Sequence, residues 1–240
     1  MRAFSDNYIW IIHSNEFAIV VDPGCALEVE QFLSDNNLQL TSILLTHLHA
    51  DHNGGVANLL ELYPHVLVYS NEDLIMKDGD VIQINGFPSF KVITTPGHVY
   101  EHVCYLFDDS HLFCGDTLFS LGCGRVFTGN FNLAFESLNK LKELNNNVLC
   151  YPAHEYTLNN LGFCMTLQDG KYDELYYHIE CKLDKYGNSL PTLISYEKEY
   201  NPFLRTHDKD LQKIVQYKYN LNISSDFECF KALRELRNKF

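Results

Sequence analysis

The 240-residue sequence predicts a layered α/β protein with packed sheets, followed by a C-terminal helical domain. Three observations lead there. Up to about residue 155, short β-branched apolar runs alternate with a few helical patterns, as packed sheets require. After about residue 160, apolar positions recur three and four apart instead. Histidines and aspartates collect where apolar runs give way to loops.

Taken in order, residues 7–12 and 18–22 read as strands joined by a turn near Asn15, and 25–35 has helical spacing. Residues 42–46 form a buried strand that runs straight into a histidine cluster, and 55–63 a short helix. Strands are expected at 66–69, 81–84, 90–95, 103–107 and 111–114. A helix at 133–144 and a strand at 148–151 close this half. Beyond it, 171–185, 207–218 and 226–239 are amphipathic helical patterns with no strand run among them. The expected division is therefore 1–160 and 161–240, with no internal repeat.

Apolar residues at 46% and charged residues at 20% suit a protein with a real core. The net charge of −13 argues against nucleic acid or an anionic membrane as a partner. The start, Met1-Arg2-Ala3-Phe4-Ser5, has no basic region leading an apolar run, and apolar stretches such as 8–12 and 17–21 are strand-sized. A cytoplasmic monomer with no membrane partner is expected. The eight cysteines are scattered without a Cys-x-x-Cys pair, which predicts free buried thiols.

The chemistry concentrates in Thr46-His47-Leu48-His49-Ala50-Asp51-His52. Residues two apart share one side of an extended segment, so His47 and His49 leave the strand end as a ligand pair. Asp51 and His52 follow at once, and Gly54-Gly55 gives the backbone freedom to turn into a helix. Further on, Thr95-Pro96-Gly97-His98, Cys114-Gly115-Asp116-Thr117 and Tyr151-Pro152-Ala153-His154 each place an imidazole or carboxylate at a strand-to-loop junction. Alone, each is weak; together they make a metal site.

This set, in this order and spacing, resembles the metallo-β-lactamase fold superfamily, and within it glyoxalase II, the hydroxyacylglutathione hydrolases. The resemblance extends from Phe4-Ser5-Asp6-Asn7-Tyr8 and Asp22-Pro23-Gly24 through Gly122-Cys123-Gly124-Arg125 to Asn201-Pro202-Phe203-Leu204-Arg205 and Arg234-x-x-Arg237. It implies a four-layer αββα sandwich with a C-terminal helical domain. It also implies two divalent cations, zinc by default with iron or manganese as alternatives. His47, His49 and His98 would hold one, Asp51, His52 and His154 the other, and Asp116 would bridge them. Such imidazole and carboxylate ligands do not choose among these metals.

The implied reaction is hydrolysis of S-D-lactoylglutathione and related S-2-hydroxyacylglutathiones to a 2-hydroxy acid and glutathione, the second step of methylglyoxal detoxification. A hydroxide bridging the metals would attack the thioester, with Asp51 and Asp116 as the catalytic carboxylates. The anionic substrate then needs a local cationic clamp against the overall charge. The resemblance supplies Arg125, Arg234 and Arg237, with Tyr156 as a further substrate contact. Arg234 and Arg237 are three apart and share a helix face. The sequence departs from the family at Phe127, where a tyrosine is usual, and at Val99-Tyr100-Glu101. His102 reads as a structural hydrogen-bonding residue. The alternatives are a persulfide dioxygenase with a single iron, another binuclear hydrolase of this fold, or a non-catalytic metal-binding relative.

Overall fold

Successive side chains of Phe17–Val21 enter two different cores. Ala18 and Val20 join one cluster, Ile19 and Val21 another, as the two-residue period of a strand requires. Both faces are buried, so the strand reads as a continuous apolar run.

The computed structural model describes residues 1–72, 75–167, 170 and 172–240. β1 (Arg2–Ala3) pairs antiparallel with β2 (Asn7–Tyr8); β3 (Trp10–His13) turns back into β4 (Phe17–Val21). Next come α1 (Ala26–Asp35), β5 (Gln39–Leu44), α2 (Ala50–Asn53), α3 (Val56–Leu62) and β6 (Leu67–Tyr69). The second half of the sandwich holds β7 (Val81–Ile82), β8 (Phe90–Thr94), β9 (Val103–Phe107), β10 (His111–Gly115), the ribbon β11 (Leu118–Phe119) and β12 (Gly122–Cys123), α4 (Phe131–Lys142) and β13 (Leu149–Pro152). α5 (Thr157–Thr166), α6 (Asp173–Tyr186), β14 (Thr192–Leu193), α7 (Ile194–Tyr200), α8 (Lys209–Tyr219) and α9 (Asp226–Lys239) complete the chain.

One sheet has the order β3-β4-β5-β6, the other β14-β13-β10-β9-β8-β7. Ile19, Val21 and Leu44 of the first meet Phe90, Val92, Val103, Tyr105 and Phe113 of the second between the sheets. On the outer face of the first, Val29 and Leu33 of α1 and Leu59 of α3 pack on Val20 and Ile43. On the outer face of the second, Leu138 and Leu141 of α4 and Phe230 and Leu233 of α9 pack on Cys104, Leu112 and Cys150. The result is the expected four-layer αββα sandwich. Ser225 caps α9 by accepting from the Glu228 N–H (3.1 Å), and Arg237 and Lys239 in its last turn oppose the negative end of its dipole.

Three expectations need correction. The strand expected at 7–12 is split, because the Tyr8 N–H donates to Ala153 O (2.7 Å) and holds β2 away from the sheet that receives β3. The C-terminal region does contain a strand: β14 pairs antiparallel with β13, and two residues are too few to leave a pattern. It also contains α5 and α7, which were not anticipated. The expected helix at 171–185 matches α6, although residue 171 itself lies outside the described residues. None of the eight cysteines is in a disulfide, and six are buried; Cys25 is intermediate and Cys181 exposed. Among the described residues no helix is long and apolar enough to cross a membrane.

Candidate active site

The loops that leave the C-terminal ends of β4, β5, β8, β10 and β13 converge on one edge of the sandwich. They bring all seven candidate ligands together. His49 Nδ1 lies 2.9 Å from His47 Nε2 and 3.0 Å from His98 Nε2. Asp51 Oδ2 lies 3.5 Å from His52 Nε2 and 3.4 Å from His154 Nε2. Asp116 stands between the groups. Its Oδ2 is 3.5 Å from His98 Nε2, while its Oδ1 is 3.5 Å from His52 Nε2 and 3.4 Å from His154 Nε2.

Four of the five imidazoles are aimed by what holds their outer nitrogen. His52 Nδ1 meets Asp22 Oδ2 (3.0 Å), His154 Nδ1 meets Asp6 Oδ1 (2.8 Å) and His98 Nδ1 meets Arg125 O (2.9 Å). Thr46 Oγ1 donates to Asp22 Oδ2 (2.7 Å), so it accepts from His47 Nδ1 (3.1 Å). Each contact places a ring proton on Nδ1 and turns Nε2 inward, where it can serve as the ligand atom. His49 differs, turning Nδ1 to the site.

This donor set fits divalent cations. Within each of the groups His47/His49/His98, His47/His52/Asp116 and Asp51/His52/His154, the ligand atoms lie within 4.8 Å of one another. Among the described residues His52 Nε2 and Asp116 Oδ1 are buried with no hydrogen-bond partner, a costly arrangement that a cation would relieve. Burial disfavours charge on His52, but the surrounding Asp22, Asp116 and Asp51 outweigh it and raise its pKa to about 9. Without a cation this ring therefore holds a proton on Nε2 at neutral pH, and a cation bound there would replace that proton. Burial, with the neighbouring imidazoles, drives His47 well below the usual histidine value. Burial alone would raise Asp51, but the Asn7 amide (2.9 Å), then His52, hold its carboxyl below the ordinary range.

The sequence reading missed the residues behind the ligands, although it quoted several within matching segments. Asp22 is the main one: it accepts from Thr46 N (2.7 Å) and Thr46 Oγ1 as well as from His52. β4 runs parallel to β5, and that pairing carries Asp22 to Thr46; adjacent apolar runs were the available signal. Gly54 and Gly55 have ordinary helical angles (φ −59° and −85°), so conformational freedom is not their use. They give room: a Cβ on Gly55 would sit 2.6 Å from Ala26 N, and one on Gly54 2.8 Å from Gly24 O. His102, fully buried, accepts the Asp116 N–H at Nε2 (3.1 Å) and is no ligand.

Beside the cluster opens a cavity of about 470 Å³, lined by Arg125, Phe127, Tyr156, Arg234 and Arg237 together with Asn159 and Asn160. All four substrate-binding candidates line it. They differ in freedom. Arg125 is exposed and Tyr156 stacks on His154 (4.7 Å, 6°). Arg237 donates to the Asn159 and Asn160 side chains, and buried Arg234 donates to main-chain oxygens. The Phe127 ring stands edge-on to His98 (5.1 Å) at the cavity wall.

Residues 155–240 match the family model "Hydroxyacylglutathione hydrolase C-terminus", and residues 3–84 and 71–154 match "Metallo-beta-lactamase superfamily". The chain is 42% identical to a hydroxyacylglutathione hydrolase of Erwinia tasmaniensis and 39% identical to one of Citrobacter koseri. Each comparison covers 99% of this chain and 97% of the relative. Among solved structures, ETHE1 from Myxococcus xanthus superposes with a TM-score of 0.63 at 25% identity, covering 97% of this chain and 94% of that one. The BLEG-1 B3 metallo-β-lactamase gives 0.62 at 22%, covering 81% and 92%, and shares the fold. With the ligand cluster at the sandwich edge and the matching C-terminal helices, this chain belongs to the hydroxyacylglutathione hydrolase family, metal-dependent enzymes of the metallo-β-lactamase superfamily.

Proposed function

We propose that this enzyme hydrolyses S-D-lactoylglutathione and related S-2-hydroxyacylglutathiones to D-lactate or the matching 2-hydroxy acid and glutathione. One observation carries the reading: Asp116 turns one oxygen to His98 and the other to His52 and His154, between two groups of inward-facing nitrogens. His47, His49 and His98 would hold one divalent cation and Asp51, His52 and His154 a second, with Asp116 shared and zinc the default metal. A single-iron dioxygenase would need only one of these groups.

Bound there, the cations supply Lewis-acid charge that makes hydroxide available near neutral pH and offsets the negative charge developing on the carbonyl oxygen. The protein's own groups do the rest. Asp51, steadied by Asn7, accepts a hydrogen bond from the nucleophile and orients it. Arg125, Arg234 and Arg237 provide positive charge for the glutathione carboxylates in a protein of net charge −13. Tyr156 and Phe127 form walls beside the reacting acyl group. The leaving thiolate, with a conjugate acid near ~8.5, departs without a strong general acid. The working form is a cytoplasmic monomer whose metal-binding domain, residues 1–160, is completed by the helical substrate-binding domain, residues 161–240.

The test is a thioester panel on metal-analysed protein, varying acyl and thiol portions. S-D-lactoylglutathione should be cleaved, and His49→Ala should abolish cleavage. Preference for a thiol portion without the glutathione carboxylates would refute the proposed clamp.

A further inference from the structure

The Gly122-Cys123-Gly124-Arg125 turn is the roof of the ligand cluster. Arg125 O accepts the His98 Nδ1–H (2.9 Å) and so sets the direction of His98 Nε2. Gly124 lies directly on Asp116: a Cβ there would stand 1.8 Å from the Asp116 carbonyl oxygen, so the turn and the central carboxylate's main chain are in contact. Gly124 N also donates to Thr117 O (3.3 Å). Such a short turn needs a support, because the β11–β12 ribbon that carries it has only two residues per strand.

The support comes from the far end of the chain. Arg234 on α9 is only 5% exposed, and its Nη1 donates to Cys123 O (2.6 Å) and reaches Gly124 O (3.5 Å). Its guanidinium carbon sits 5.4 Å from the centre of the Phe203 ring, so packing restricts its movement. Arg237, one turn on, donates to the Asn159 and Asn160 side chains instead and, among the described residues, makes no hydrogen bond to residues 122–125.

We infer that Arg234 is a positioning residue for the metal centre: from α9 it pins the 122–125 turn, which orients ligand His98 and supports Asp116. The helical region then helps to build the centre as well as to hold substrate. A buried charged donor suits this task, since a main-chain acceptor bound to guanidinium is held more strongly than one bound to a neutral donor.

The inference rests on the metal reading above, and cobalt binding separates the two. Metal-stripped wild type, Arg234→Met, Arg234→Lys and Arg237→Met are titrated with Co2+ against a chelator, while the visible d–d spectrum is followed. Arg234→Met should bind cobalt about 10-fold more weakly or worse, the range for loss of an outer-shell partner. Its spectrum should change, and Arg234→Lys, which keeps one donor, should recover part of the loss. Arg237→Met should bind cobalt like wild type. Wild-type affinity and spectrum in Arg234→Met would overturn the inference and leave Arg234 a substrate contact. If circular dichroism shows Arg234→Met unfolded, Arg234→Lys decides: intermediate affinity supports the inference, wild-type affinity overturns it. Failure of the wild type to bind cobalt would instead overturn the metal reading, and this inference with it.

Discussion

Asp116 donates its backbone N–H to Nε2 of His102 at 3.1 Å. A backbone N–H can only donate, so Nε2 is bare and Nδ1 carries the proton, placed 2.8 Å from Thr95 Oγ1 and 3.1 Å from Thr117 Oγ1. A fully buried neutral imidazole thus fixes the main chain of the carboxylate proposed to bridge two cations. His102→Phe keeps the bulk and removes the acceptor, which strands a buried N–H. The expected cost is about 1–3 kcal/mol in urea unfolding, with reduced activity. Unchanged stability and turnover would show that Asp116 needs no such clamp.

Asp22 binds three donors and one of them aims His52. Asp22→Asn exchanges one acceptor oxygen for an NH2 group. Metal affinity or activity should fall by about 10–100-fold, read by chelator competition. Equal affinity in the two proteins would mean that His52 keeps its direction without Asp22.

Glu197 offers a stability test remote from the ligands. It is fully buried, and that burial raises its pKa to about 7 from 4.5, even though Thr192, Leu121 N and Asn201 donate to it. A raised carboxyl pKa means that the folded state holds the proton more tightly. The contribution is complete below about 4.5 and is lost as pH rises through about 7. Unfolding free energy should therefore decline across that window relative to Glu197→Gln, at up to about 1.4 kcal/mol per pH unit. Parallel pH profiles for the two proteins would contradict this.

Arg125 is exposed at the cavity and free to meet an anionic substrate. Arg125→Met should raise KM for a glutathione thioester several-fold with little change in kcat, the signature of lost uniform binding. Added salt should raise the wild-type KM more than that of the variant, because it screens charges beyond about 10 Å at 0.1 M. A fall in kcat alone would place Arg125 in the chemistry instead.

The ligands were legible because strand ends deliver side chains to fixed places: His47 and His49 follow β5 directly, and Asp116 follows β10. Packed sheets were legible because both faces of β4 are apolar, whereas the four-layer order came from the family resemblance. What escaped was set by tertiary pairing. Asp22 meets Thr46 only because β4 and β5 are parallel neighbours, and Asp6 meets His154 only because the chain start folds back on β13. Arg234 showed in the sequence as a helix-face cation; its bond to Cys123 O, 111 residues away, depends on how α9 packs. The two-residue β14 left no periodicity to read.

The most direct measurement is a titration of metal-stripped protein with Zn2+ while cleavage of S-D-lactoylglutathione is followed. Hydrolysis should rise to a plateau at two equivalents per chain, with glutathione and D-lactate released in equal amounts. A plateau at one equivalent, or intact thioester at full metal occupancy, would contradict a two-cation thioester hydrolase.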